Sequence, residues 1–164
     1  MKRYVFFAAV AAVAVGLYFA VMRTAAAPEV TFISIQGEKI ATSALRGKVA
    51  IVNFWATDCG PCREAMPELV QTYQRYRGRG LELIAVAMRH DPPNYVIQYA
   101  QRHRLPFKVA LDPMGELARA FGNVEVTPTM IVIDKRGRMI VRVQGEPDFE
   151  ALRELIEREL AKET

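Results

Sequence analysis

Apolar residues along this chain follow two rhythms. Mainly apolar runs occur at Val49–Trp55 and Leu81–Met88, with a shorter one at Phe107–Leu111. Apolar runs of this length predict strands buried on both faces. Between them the apolar positions recur at helical spacing. One helix is predicted from about Gly60 to Arg77, ended by Gly78-Arg79-Gly80, and another over Asn94–His103 after Pro92-Pro93. Gly115–Phe121 predicts a short helix stopped by Gly122. In the last segment Phe149, Leu152, Ile156 and Leu160 share one helical face with Leu155 alongside, and Asp148 is placed to cap it. Two hairpins complete the pattern: Thr31–Ile35 with Lys39–Ala41 around Gln36-Gly37, and Thr129–Asp134 with Arg138–Gln144 around Lys135-Arg136-Gly137. Buried strands alternating with helices predict an α/β fold, and the closing hairpin makes its sheet mixed.

The N-terminus follows neither rhythm. Lys2 and Arg3 precede 19 uncharged residues, Tyr4–Met22, and Arg23 closes the stretch. A membrane-spanning helix needs roughly 20 apolar residues, whereas a cleavable signal has an apolar core of about 7–15. The expectation is therefore a single-pass anchor over 1–23, a linker over 24–29 and one domain over 30–164. The positive-inside rule puts Met1 in the cytoplasm and the domain on the far side of the cytoplasmic (inner) membrane, in a periplasm-like space. Small residues at Ala25-Ala26-Ala27 offer a cleavage site, although Pro28 follows them directly.

Charge changes the picture only once it is divided. The chain of 164 residues has 22 basic and 18 acidic side chains, a surplus that invites a nucleic-acid reading. Lys2, Arg3 and Arg23 account for three of the bases, leaving 19 against 18 acids over residues 24–164. The surplus is an orientation signal for the membrane segment, and no nucleic-acid partner is expected. Two cysteines are too few for a disulfide-stapled miniprotein or an all-cysteine zinc site.

Those cysteines stand in Cys59-Gly60-Pro61-Cys62, directly after an apolar strand and at the start of a helix. That is a redox setting. On the first turn the two thiols are close enough to form a small-ring disulfide. Unpaired N–H groups and the helix dipole favour a thiolate at Cys59, the predicted nucleophile. Pro61 fits the first turn, where its missing N–H is harmless. Cys62, one turn further in, is the predicted resolving thiol. His90 and His103 are the only histidines and show no tetrahedral-site spacing with the cysteines, so no metal site is assigned. Soft-metal ligation by the two thiols, as in a copper-binding or copper-delivery module, stays open, and so does a disulfide-donating oxidant.

The stretch Phe54-Trp55-Ala56-Thr57-Asp58-Cys59-Gly60-Pro61-Cys62-Arg63, with Pro67 beyond it, resembles a thioredoxin-family active site. Leu45-Arg46-Gly47-Lys48 and Val52-Asn53-Phe54-Trp55 resemble its membrane-anchored TlpA/ResA branch. The resemblance runs from about Val30 to Lys162. It implies a thioredoxin-like fold: a mixed central sheet flanked by helices, an N-terminal hairpin, a central insert near Arg89–Leu111, and one preceding transmembrane helix. It implies a thiol–disulfide oxidoreductase with no cofactor beyond a Cys59–Cys62 disulfide. Gly60 and Pro61 are similar to the pair found in reducing thioredoxins, which favours the reductant direction. The implied partners are protein disulfide substrates, such as cytochrome c maturation or copper-site clients, and a membrane electron donor that re-reduces the pair. Pro128 matches the family's cis-proline, with Thr127 offering backbone to a substrate strand. Trp55 is expected to shield the disulfide and form the rim of the substrate site.

Three positions depart from the thioredoxin pattern. Asn53 stands where soluble thioredoxins carry a buried aspartate, so the proton acceptor for Cys62 must lie elsewhere or be water. His90 or Asp91, after the second central strand, are the candidates. Asp58 precedes the first cysteine, where an aromatic residue is common. Its charge is expected to raise the Cys59 thiol pKa and favour electron donation, with Arg63 acting in the opposite sense.

Overall fold

The computed structural model describes residues 25–163. Its strands are β1 (Thr31–Ile33), β2 (Lys39–Ala41), β3 (Val49–Trp55), β4 (Leu81–Ala87), β5 (Lys108–Leu111), β6 (Thr129–Ile133) and β7 (Met139–Gln144). Its helices are α1 (Gly60–Tyr76), α2 (Pro93–Arg102), α3 (Glu116–Ala120) and α4 (Phe149–Ala161).

The main sheet has the order β5-β4-β3-β6-β7. β3, β4 and β5 run parallel, and β6 and β7 are antiparallel to their neighbours. The apolar run of β3 explains its central place: all seven residues are buried, because both faces of the strand are covered. Val49, Ile51 and Trp55 point to the side of α1, α2 and α4, where they meet Met66, Leu69, Val96 and Ile156. Ala50, Val52 and Phe54 point to the other side, onto Phe32, Leu117, Phe121 and Val124. The expected insert supplies α2 and the edge strand β5. The β1–β2 hairpin leans on that edge through the Ser34–Ala110 bridge and the Ile35 N–H to Val109 carbonyl bond of 2.8 Å.

The boundary expected at residue 30 shifts. Ala26 bridges Arg138, the Ala27 N–H donates to the Gly137 carbonyl at 2.8 Å, and the Met139 N–H donates to the Ala25 carbonyl at 2.8 Å. Residues 25–27 are therefore part of the domain and not of a free linker. Backbone bonds hold them, and alanine side chains carry no pattern that announces such pairing. The apolar stretch Tyr4–Met22 lies outside the described residues. Among the described residues no helix is long and apolar enough to cross a membrane.

Candidate active site

β3 delivers its chain directly to the cysteines. After Trp55 the segment Ala56-Thr57-Asp58 turns, and Cys59 becomes the N-cap of α1. Cys59 and Cys62 are joined in a disulfide with their Cα atoms 5.2 Å apart. The Cys62 N–H donates to Cys59 Sγ at 3.2 Å, so the outer sulfur already receives one of the unpaired donors of the helix start. Such donors stabilise a thiolate there once the bond is reduced. Cys62 is only 2% exposed, while Cys59 is half-buried, and this asymmetry separates an attackable sulfur from a shielded one. Pro61 is the second helical residue, where no hydrogen bond is lost. Nothing stands within 4 Å of where a Cβ on Gly60 would lie, so Gly60 leaves its surroundings open.

The turn is held from the neighbouring strand end. Asp91 is buried, and its carboxylate accepts from the Thr57 N–H at 2.6 Å and from the Thr57 hydroxyl at 2.6 Å. Its own N–H donates to the Met88 carbonyl, and the Met88 N–H donates to the Trp55 carbonyl, both at 3.0 Å. Both carboxylate oxygens are thus committed to Thr57. Asp91, one of the two expected candidates for the Cys62 proton, is therefore a clamp on the loop that carries Cys59. Nothing in the sequence marks Thr57 as its partner, because the two residues are 34 positions apart.

His90 faces the other way. Its Nε2 lies 3.5 Å from Asp58 Oδ1, and both side chains are open to solvent, at 52% and 73%. Asp58 therefore has a counter-charge available when His90 is protonated. Arg63 donates to the Thr57 carbonyl at 3.4 Å, adding a second tie to the same turn.

Trp55 requires a correction. It is 0% exposed and packs on Tyr99 with ring centroids 5.0 Å apart, inside the cluster that includes Cys62. A residue with no exposed surface cannot form the rim of a substrate site. It backs the active-site helix from within, because β3 is covered on both faces up to its last residue. Burial also holds the Tyr99 phenol above its usual range, with Arg63 opposing the shift. Asn53 shares the α1-facing side of β3 and is buried, with its Oδ1 atom lacking any hydrogen-bond partner.

Pro128 is buried, and the Thr127–Pro128 peptide is cis. The register pairs Phe54 with Thr129, so Thr127-Pro128 lies at the same sheet end as the Cys59 loop. Its surroundings are fixed: the Gly145 N–H donates to the Pro128 carbonyl at 2.8 Å, and the Thr129 hydroxyl donates to the Val126 carbonyl at 2.6 Å. Among the described residues, no group of three or more His, Cys, Asp or Glu side chains is placed to hold a metal ion.

The Redoxin family matches residues 22–156 of this chain. The thiol-disulfide oxidoreductase ResA of Bacillus thuringiensis subsp. konkukian is 32% identical over 133 residues, covering 80% of this chain and 75% of the relative. ResA of Geobacillus thermodenitrificans is 31% identical over 152 residues, covering 93% and 82%. A thiol:disulfide interchange protein of the thioredoxin family from Chlorobium tepidum superposes with a TM-score of 0.77 at 28% identity, over 85% of this chain and 98% of that one. With a disulfide between Cys59 and Cys62 at the head of α1 and these relatives beside it, the chain belongs to the Redoxin family and is a thiol–disulfide oxidoreductase of the ResA type.

Proposed function

We propose that this protein is an anchored, extracytoplasmic reductant of protein disulfides. The observation that carries the reading is the difference between a half-buried Cys59 at the head of a helix and a 2% exposed Cys62 behind it. In the reduced state the Cys59 thiolate attacks one sulfur of a substrate disulfide. A mixed disulfide forms, and the other substrate sulfur leaves as a thiolate. Cys62 gives its proton to water and attacks Cys59. The Cys59–Cys62 bond forms, and the second substrate thiolate is released. The substrate gains two electrons, and the protein is left in its disulfide form.

Thr127 and Pro128 position the substrate strand in this reading, as the family resemblance implies. The uncharged stretch Tyr4–Met22 between flanking bases supports a single-pass anchor in the cytoplasmic membrane with the domain on the periplasm-like side. An oxidising compartment then demands a membrane partner that carries electrons across to re-reduce the pair. Cytochrome c maturation and copper-site proteins are the client classes that the resemblance suggests.

The potential of the Cys59–Cys62 couple, measured by equilibration with glutathione or dithiothreitol, tests the direction. A value near that of thioredoxin, about −270 mV, supports a reductant, and one near −120 mV replaces it with an oxidant. Cys62→Ser is expected to accumulate mixed disulfides with clients in cells. Tight Cu(I) binding by the wild type without any trapped client would establish the copper-delivery alternative instead.

A further inference from the structure

A groove of about 520 Å3 opens on the sheet face opposite α1. One wall is Met88, Arg89 and His90, and His90 reaches Asp58, the neighbour of Cys59. The other wall is Asn123–Glu125, which runs directly into Val126-Thr127-Pro128. The groove therefore lies between a segment that reaches the neighbour of Cys59 and one that leads into the cis-proline.

Its walls are held in place before any ligand arrives. The Val124 N–H donates to the Ala118 carbonyl at 2.9 Å, and the Asn123 N–H donates to the Arg119 carbonyl at 3.2 Å. The Arg142 guanidinium donates to the carbonyls of Phe121 and Gly122 at 2.9 and 3.1 Å. The backbone of this wall is thus ordered in advance, which lowers the cost of binding.

The chemistry of the lining is one-sided. Met88, Ala118 and Val124 form a buried apolar floor. Arg89 and Arg119 stand over it against a single lining acid, Glu125, while His90 turns toward Asp58. Among the described residues neither Arg89 nor Arg119 has a carboxylate within 4.0 Å, and Arg119 donates only to the Met114 carbonyl at 2.9 Å. The groove is cationic although residues 24–164 carry almost equal numbers of bases and acids. Two guanidinium groups without carboxylate partners over an apolar floor match a carboxylate on a short aliphatic stem. A strand laid along Thr127 turns alternate side chains to either side, and Asn123–Glu125 leads from this groove directly into Thr127.

From this geometry we infer that the groove is a specificity subsite for an acidic side chain, glutamate or aspartate, close in sequence to the cysteine that Cys59 attacks, an inference that rests on the protein-disulfide reading above. Arg89 and Arg119 recognise the carboxylate, and Met88 and Val124 carry its stem.

Disulfide-bonded peptides that differ only in Glu, Gln or Lys beside the cysteine provide the probe, together with versions in which serine replaces cysteine. The Glu serine-peptide is expected to bind the wild-type disulfide form roughly fivefold more tightly than the Gln one at low salt. The same ratio should appear in kcat/KM for the disulfide peptides, mainly through KM. In Arg89→Glu/Arg119→Glu the preference should pass to the Lys peptide, and in Arg89→Gln it should shrink. Equal binding of Glu and Gln peptides by the wild type, or a Glu preference that survives in both variants, would overturn the subsite. A Glu preference in binding with no turnover of any disulfide peptide would leave the subsite standing and overturn the reductase reading.

Discussion

Asp91 grips Thr57 with both carboxylate oxygens, one on the backbone N–H and one on the hydroxyl, each at 2.6 Å across 34 residues of chain. The end of β4 is thereby fastened to the turn that presents Cys59. Bonds to a charged acceptor in a buried setting are among the stronger ones a protein makes, and a buried donor left without its partner adds a desolvation penalty.

Asp91→Ala should therefore cost about 2–3 kcal/mol in urea unfolding, and Thr57→Val, which keeps the N–H bond, about half of that. A merely stabilising role would stop there. A role in placing Cys59 predicts in addition that the reduced Asp91→Ala protein reacts more slowly with iodoacetamide at neutral pH. Its rate profile should be displaced to higher pH as the sulfur loses its alignment with the helix start. An unchanged alkylation profile would reduce the clamp to a stability device.

The exposed pair Asp58–His90 sits beside the same sulfur but is expected to act weakly. Both side chains are more than half exposed, and solvent screens such charges. Asp58→Asn should make the Cys59–Cys62 couple more oxidising, since a carboxylate next to a thiolate disfavours the reduced form. The shift should be less than about 20 mV, the equivalent of an exposed interaction under about 1 kcal/mol. A more reducing variant would contradict the sign.

At the opposite end of β6, burial works against ionisation of Asp134. The bonds from the Arg138 guanidinium and from the N–H groups of Arg138 and Arg136 outweigh it, and the carboxyl is held below its usual range. A depressed folded pKa means stability that is present above the unfolded value, about 3.9, and is lost as pH falls through the folded value. Asp134→Asn should accordingly lower the melting temperature at pH 7, with the gap to wild type closing below about pH 4. A gap independent of pH would show that the carboxylate charge contributes nothing. The same turn pins Ala26 and Ala27, so the variant should also speed hydrogen exchange at the Ala27 N–H.

Much of the fold and of the reaction centre is written locally. The mainly apolar runs of β3 and β4 announce a sheet covered on both faces, and the four-residue spacing of Leu152, Ile156 and Leu160 announces α4. Cys59-Gly60-Pro61-Cys62 after a strand announces a redox pair, because four consecutive residues and one helix start contain all of its geometry. What the sequence leaves open is what two distant segments do to each other. His90 and Asp91 are adjacent and equally polar, yet the path of the chain after β4 turns Asp91 inward onto Thr57 and His90 outward onto Asp58. Trp55 ends an apolar run and precedes a functional loop, so both a core and a rim place suit it. Its actual place was decided by α2, whose Tyr99 covers it. The cationic groove joins residues from three separated stretches, and Ala25–Ala27 joins the hairpin through backbone bonds and the burial of Ala27. Periodicity and short motifs encode contacts within one element. Contacts between elements depend on how all the elements pack at once, and no single segment carries that information.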